Sequence, residues 1–512
     1  MFSCSVRVAV MCALCTAVGA AATLPRMADG KPNFQGIWQV RGKAANDLAA
    51  EKGVVEGGAI PYQAWASAKK QENFKNRKTA DPLGKCYFPG VPRIMYMEYP
   101  FQIFQTSDKV AITFEWSQVY RLIYTNGKPP LHDVVETWMG DSRGHWDGDS
   151  LVVDVTGHNN KTWFDLAGDF HSEELKLSER YTMTDSDTIQ YQVTFTDPKV
   201  FTKTWKMSVA LVRQKNKARL LEYQCEAEAE EASGDFERDP RTWYPKPGAP
   251  PSPLGPPAVM PQVAPLAAVK PGTNLRRTAD GKPDLTGYYQ SNAGGANYGL
   301  EKHGRDAFTP ATRGVVIDPA DATLPYQPWA RAERINREEP YRGYDDPTAH
   351  CFVAGVPRSM YVPSPFQLLQ PDGYVVLLFE RMSWRIIPLD GRAHLPDNVR
   401  LWQGDSVGRW EGDTLVVDST NFNGKTWLNE VGDVLSHAEK VTERFTPLDG
   451  DKFNYRATVT DPIVYTRPWT IEIPMNRQNE ELLEVACHED NGDLQNLKNV
   501  RDEYRAQHKK EK

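Results

Sequence analysis

Glu179 is the residue of this chain best placed to do chemistry. It lies in Leu175-Lys-Leu-Ser-Glu-Arg-Tyr-Thr-Met183, where alternate positions are apolar, and it shares its side with Leu175, Leu177 and Tyr181. Glu443 repeats the situation between Val441 and Phe445. A carboxylate on an apolar strand face must be paired, hydrogen-bonded or protonated, because an isolated buried charge is very costly. Two readings follow. If the face lines a cavity, Glu179 and Glu443 are candidate general acid/bases or ligand anchors, with His171 as a catalytic partner. If a neighbouring strand supplies Arg121 or Arg385, each glutamate is half of a structural ion pair.

Other polar residues recur in equivalent places along the chain. Arg93 and Arg358 each follow Gly-Val-Pro, and a fixed arginine there suits a carboxylate-bearing ligand or caps a loop. Glu115 and Glu380 end apolar strands and invite the same pair of readings. Trp138, Trp163, Trp402 and Trp427 either close a core or wall a pocket. His394 stands in Asp390-Gly-Arg-Ala-His394, whereas the first half carries Pro130 at that place. His171-Ser-Glu173 is matched in the second half by Leu435-Ser-His437. Each half thus lacks a histidine the other keeps, so a site is complete in one half, composite between them, or absent. Asp141 and Asp405 read as formers of glycine-rich turns, Asp197 and Asp461 as turn formers before proline, and Asp154 and Asp418 as holders of the turn after Leu-Val-Val. Phosphate-loop, nucleophile-elbow and His-Glu-x-x-His motifs are absent, and the ten histidines form no pair at metal-ligand spacing. The expectation is no metal and no cofactor.

The recurrence is domain-sized. From Trp138 to Asp165, 17 of 28 residues match those 264 positions later. That period is too long for a solenoid unit of roughly 20–50 residues. The expected layout is a signal peptide (1–22), a first domain (23–243), a proline-rich linker (244–273), a second domain (274–495) and a charged tail (496–512) that forms a helix or frays. Arg7 before an apolar run ending Val-Gly-Ala-Ala-Ala carries the signal reading and points to the periplasm or the outside of the cell. An oxidising address makes Cys86, Cys225, Cys351 and Cys487 readable as disulfides. Of three possible connectivities the repeat selects Cys86–Cys225 and Cys351–Cys487, with the second cysteine of each pair on a last strand. A net charge of −7 without a basic block argues against nucleic acid, and no later apolar run suggests membrane insertion. The acidic run Glu226–Glu231 reads as a solvated loop or strand end.

Period-two patterns, as in Ile189-Gln-Tyr-Gln-Val-Thr-Phe195 and Phe453-Asn-Tyr-Arg-Ala-Thr-Val459, predict antiparallel hairpins. About eight strands per half are enough for a closed barrel, with one helix after Pro61 and another after Pro325. Gly36-Ile-Trp38 resembles the Gly-x-Trp opening of lipocalins and other calycin barrels. Gly-x-Trp-Glu-Gly-Asp-Thr-Leu-Val-Val-Asp, with Gly-Val-Pro-Arg and Asp-Gly-Arg-x-His, resembles a group of secreted bacterial proteins that brings no established activity. The reading is all-β, two tandem lipocalin-like antiparallel β-barrels with a short helix each. Its leading function is binding of a small, largely apolar ligand. The rival is a cofactor-independent hydratase, lyase or isomerase using Glu179, His171 and Arg93. A third reading is an envelope interaction module with filled barrels. Oligomeric state does not follow from the sequence.

Overall fold

The computed structural model describes residues 24–131, 135–233, 257–305, 309–489 and 491–508. The expected signal segment and the linker up to residue 256 lie outside the described residues. Nine strands build a first barrel: β1 (Gly36–Arg41), β2 (Phe101–Gln105), β3 (Lys109–Phe114), β4 (Tyr120–Tyr124), β5 (Asp141–Asp147), β6 (Ser150–Thr156), β7 (Lys176–Asp185), β8 (Thr188–Thr196) and β9 (Trp205–Arg213). Each pairs with the next and β9 returns to β1, so the sheet closes. The weak place is the β4–β5 seam. It is parallel where its neighbours are antiparallel, and it is held only at Ile123–Ser142 and Tyr124–Arg143.

The second sheet uses β10 (Gly287–Ser291), β11 (Val316–Asp318), β12 (Phe366–Leu369), β13 (Tyr374–Phe379), β14 (Ser383–Pro388), β15 (Asp405–Glu411), β16 (Thr414–Thr420), β17 (Lys440–Pro447), β18 (Lys452–Thr460) and β19 (Trp469–Gln478). Its order runs β14-β13-β12-β10-β19-β18-β17-β16-β15, with short β11 added to β19. The circuit is nearly closed, and its gap falls between β14 and β15, the counterparts of β4 and β5. The chain is therefore mainly β, two tandem barrels with few helices.

Burial explains the strand patterns. Strands β7, β8 and β9 alternate because one face meets the core and the other water. By contrast β2, β3, β12 and β13 are buried at almost every position. Their inner faces fill their own barrel and their outer faces meet the other barrel, sheet on sheet. Leu369, Val376, Leu378, Met382 and Trp384 of the second barrel belong to the first barrel's apolar core, and Phe104 packs on Tyr374 at 5.3 Å between ring centres. The expectation of about eight strands falls short here, because strands buried on both sides carry no alternation to count.

Among the described residues four α-helices accompany the barrels: α1 (Ala64–Ala80), α2 (Cys225–Ser233), α3 (Pro328–Arg337) and α4 (Gly492–His508). None of the described helices is long and apolar enough to cross a membrane. Cys86–Cys225 and Cys351–Cys487 are bonded, with Cα atoms 5.6 Å apart in each pair. Their second cysteines are not on last strands. Cys225 opens α2, and Cys487 lies nine residues beyond the end of β19. The acidic run is likewise helical, in α2, where Glu226 and Glu228 in the first turn complement the positive end of the helix dipole. Asp154 and Asp418 sit inside strands rather than at turns, because Leu-Val-Val-Asp is the middle of β6 and β16. Asp418 accepts from Thr442 Oγ1 at 2.8 Å across the sheet. Residues 257–273 run along the second barrel, with Ala258 N donating to Pro462 O at 2.7 Å and Gly272 N to Pro447 O at 3.0 Å.

Candidate functional site

Strand parity turns Glu179 of β7 and Arg121 of β4 toward each other inside the first barrel. Arg121 Nη1 donates to Glu179 Oε1 at 3.0 Å and Nη2 to Oε2, while Nε donates to Ser142 Oγ at 3.0 Å. Tyr191 donates its hydroxyl to Glu179 Oε1, and Tyr181 OH accepts from Arg121 Nη1 at 3.0 Å. Both ionic side chains are almost completely buried. The second barrel repeats the arrangement: Arg385 bonds Glu443 through both Nη atoms, and Tyr455 OH donates to Glu443 Oε1 at 2.8 Å. Ser406 and Ser419 complete the shell of Arg385. Such planar two-point pairs leave no carboxylate oxygen without a donor.

His171 is not brought to Glu179. Its ring nitrogens go to the Ser172 carbonyl at 2.8 Å and Thr162 Oγ1 at 2.7 Å, and the ring packs on Phe164. Arg93 makes a two-point pair with Asp81, which also accepts from Leu83 N, and so braces the turn before Cys86. Arg358 and Asp346 do the same before Cys351. His394 Nδ1 lies 2.8 Å from Asp405 Oδ2, and Asp405 also accepts from Leu395 N. Trp163 is buried beside Phe170, to which it pairs through the backbone, and Trp427 stacks under Arg337.

The remaining sequence-selected residues meet at the contact between the barrels. After β9 the chain crosses to the other barrel as a strap, and so does the chain after β19. Glu222 accepts from the backbone N–H groups of Trp402 and Gln403, and Glu484 accepts from Trp138 N at 2.7 Å and Met139 N at 2.9 Å. Burial of these two carboxylates pushes each up to about 7. Each strap is also held by the barrel it leaves. Glu115 accepts from Leu221 N at 2.9 Å and pairs with Lys217, and Glu380 bonds the backbone of Leu483. Arg143 reaches Glu481 at 3.1 Å, while His488 meets Glu226 at 2.8 Å.

Where the second strap covers the β4–β5 seam, a cleft of ≈ 260 Å³ remains. Its walls are mainly apolar and include Leu122, Met139 and Leu483, with Arg121 and Ser142 at the seam itself. Tyr120 and Tyr124 also line it, and both are buried with hydroxyls that find no hydrogen-bond partner. Burial raises both phenols above their ordinary range, so they stay protonated donors. Behind the wall, His158 is buried with neither ring nitrogen bonded, and burial holds it well below the usual histidine range. The counterpart cleft on the second barrel is ≈ 50 Å³. There Trp384 replaces Tyr120, Pro388 replaces Tyr124, and Trp384 Nε1 donates to Phe114 O at 2.9 Å. One seam keeps a wide cleft beside two unmet donors; the other keeps a narrow one.

Sequence reasoning missed Tyr120, Tyr124 and the two strap glutamates. The glutamates had a signal, Leu-Leu-Glu three residues before each second cysteine. The tyrosines had none of that kind, because they differ between the halves and a search for residues kept twice passes over them.

No family model and no curated protein matches the chain. Among solved structures, a mutant of the fluorescent protein UnaG aligns at 10% identity over 36% of this chain and 97% of that one, with a TM-score of 0.18. A protein of unknown function from the DUF3598 family of Nostoc punctiforme PCC 73102 aligns at 8% identity over 74% of this chain and 88% of that one, with a TM-score of 0.15. Likenesses at these scores decide nothing, and the barrel description rests on the strand pairing.

Proposed function

We propose that this chain is an exported binding protein whose ligand is a small, largely apolar molecule carrying a hydrogen-bond acceptor, held in the cleft over the β4–β5 seam of the first barrel. The observation that carries the reading is the pair of buried phenols, Tyr120 and Tyr124, with nothing to donate to. A buried donor without a partner costs about 1–3 kcal/mol, and an acceptor-bearing ligand recovers that. Mainly apolar walls with a few placed polar groups are the usual make-up of a small-molecule pocket. Arg121 and Trp138 then act at one remove. Arg121 borders the seam while paired to Glu179, and the Trp138 backbone fixes Glu484 on the strap that roofs the cleft. The catalytic alternative finds less support, since Glu179 and Glu443 are each saturated by donors and His171 is engaged elsewhere.

Titration with 6-propionyl-2-dimethylaminonaphthalene, an apolar dye whose ketone accepts a hydrogen bond and whose emission shifts to the blue on leaving water, tests the site. Saturable binding to the native protein is expected. Tyr120→Trp installs the residue that fills the second cleft and should weaken binding by about tenfold or more, with the circular dichroism unchanged. Binding that is indifferent to this substitution would refute the assignment.

A further inference from the structure

Away from both clefts, the 43–50 and 163–170 loops of the first barrel converge on α1. Asp47, Asp165 and Asp169 each offer a carboxylate oxygen there, and these oxygens all lie within 4.8 Å of one another. Asp165 and Asp169 are fully buried, and Asp47 is partly exposed. One Asp169 oxygen accepts from Tyr62 OH at 2.7 Å and pairs with Lys70 at 2.9 Å. The other, Oδ2, is buried with no hydrogen-bond partner. Asp165 accepts three backbone N–H groups, from Leu48, Ala167 and Asp169.

The second barrel shows what this geometry needs when it stands alone. Asn429 occupies the place of Asp165, and its Nδ2 donates to the Oδ2 of Asp433 at 2.5 Å, filling the role left vacant at Asp169. Tyr326 and Arg334 hold Asp433 Oδ1 as Tyr62 and Lys70 hold Asp169. Ala45 O accepts from Leu166 N as Asn297 O accepts from Glu430 N, which sets Gly299 opposite Asp47. The second cluster keeps one carboxylate, Asp433, on the Arg334 guanidinium, which Glu338 shares at 2.7 Å. The first sets three carboxyl groups against one ammonium, and burial beside Asp169 pushes the Asp165 carboxyl up to about 8.

We propose that Asp47, Asp165 and Asp169 form a binding site for one divalent cation of the calcium type. A divalent cation offsets this surplus of acidic groups, and the unbonded Asp169 Oδ2 gains a ligand. An all-oxygen donor set suits a hard cation, and calcium–oxygen distances of roughly 2.3–2.6 Å can be met by oxygens that lie within 4.8 Å of one another. Asp47 gives the ion a route from solvent and room for water ligands. The site ties the 43–50 and 163–170 loops to α1. Zinc-type spacing rules miss it because they look for His and Cys close in sequence, whereas Asp47 and Asp165 are joined only by the fold.

The test is calcium titration of the full-length protein after chelator treatment, with thermal unfolding and calorimetric binding as readouts and magnesium as a comparison. Calcium is expected to bind once per chain and to raise the unfolding midpoint by several degrees. Asp165→Asn, which copies the second barrel, and the milder Asp47→Asn should both fold and lose that response. A native protein without saturable calcium binding overturns the proposal, as does an Asp165→Asn protein that keeps it. So does a calcium-insensitive protein stabilised by acid through Asp165, which would place a shared proton in the gap.

Discussion

An arginine and a glutamate set in the middle of a barrel cost about as much to desolvate as their attraction returns. The Arg121–Glu179 and Arg385–Glu443 pairs are thus better understood as pins that fix β4 against β7 and β14 against β17 than as sources of stability. Asymmetry of cost makes this checkable. Glu179→Gln leaves a buried guanidinium half-paired and should lower stability by about 3–5 kcal/mol in urea titrations. Replacing both partners, Arg121→Met with Glu179→Leu, should recover most of that loss; a double variant as unstable as the single one contradicts the account. The glutamates were visible in the sequence because alternation places them on an apolar face. Their partners were visible only as alternatives, since alternation says which face a residue takes but not which strand lies opposite. Tyr120 and Tyr124 were invisible for a different reason. They lie on the outer face of a strand, and only the packing of a second barrel turns that face into the wall of a cleft.

The two straps are the elements that make one molecule of two barrels. Glu222 and Glu484 are raised from an ordinary value of 4.5 to about 7 because their carboxylates are buried in the contact. A glutamate raised on folding contributes stability that is present below its unfolded pKa and is lost as pH rises through the folded one. The straps should therefore hold more tightly near pH 5 than near pH 8, by on the order of 2–3 kcal/mol for each glutamate. Hydrogen exchange at the amides of Trp138, Met139, Trp402 and Gln403 reads this directly. In the Glu222→Gln/Glu484→Gln protein the difference in protection factor between pH 5 and 8 at those amides should vanish, and its persistence would assign the effect to other groups. Strands β7 to β9 and their counterparts could be read from alternation. The straps carry no period at all, and their lone sequence mark is a glutamate before a cysteine.

For the whole molecule, the disulfides close loops of 139 and 136 residues. Chain entropy alone assigns roughly 4–5 kcal/mol to loops of that size. Reduction should accordingly move the unfolding midpoint well down in both barrels, followed by tryptophan fluorescence with and without reductant. Each bridge also anchors the end of a strap, so the reduced protein should bind dye more weakly than the oxidised one even where it remains folded. The two-barrel architecture was readable because a repeat of domain length is hard to mistake. The way the barrels meet was not, since outer-face burial appears in sequence only as apolar runs without alternation.

The contact between the barrels is reciprocal: Glu222 reaches Trp402 as Glu484 reaches Trp138. Self-complementary pairing of this kind is the geometry of a twofold dimer of identical subunits. In such a dimer every substitution arrives twice, and closing one cleft closes its twin. Here both faces are written in a single chain, so each substitution arrives once. A tryptophan can stopper one seam and serve as its mortar, while the other keeps two unanswered hydroxyls. The covalent link thereby gives a symmetric joint the freedom to divide labour.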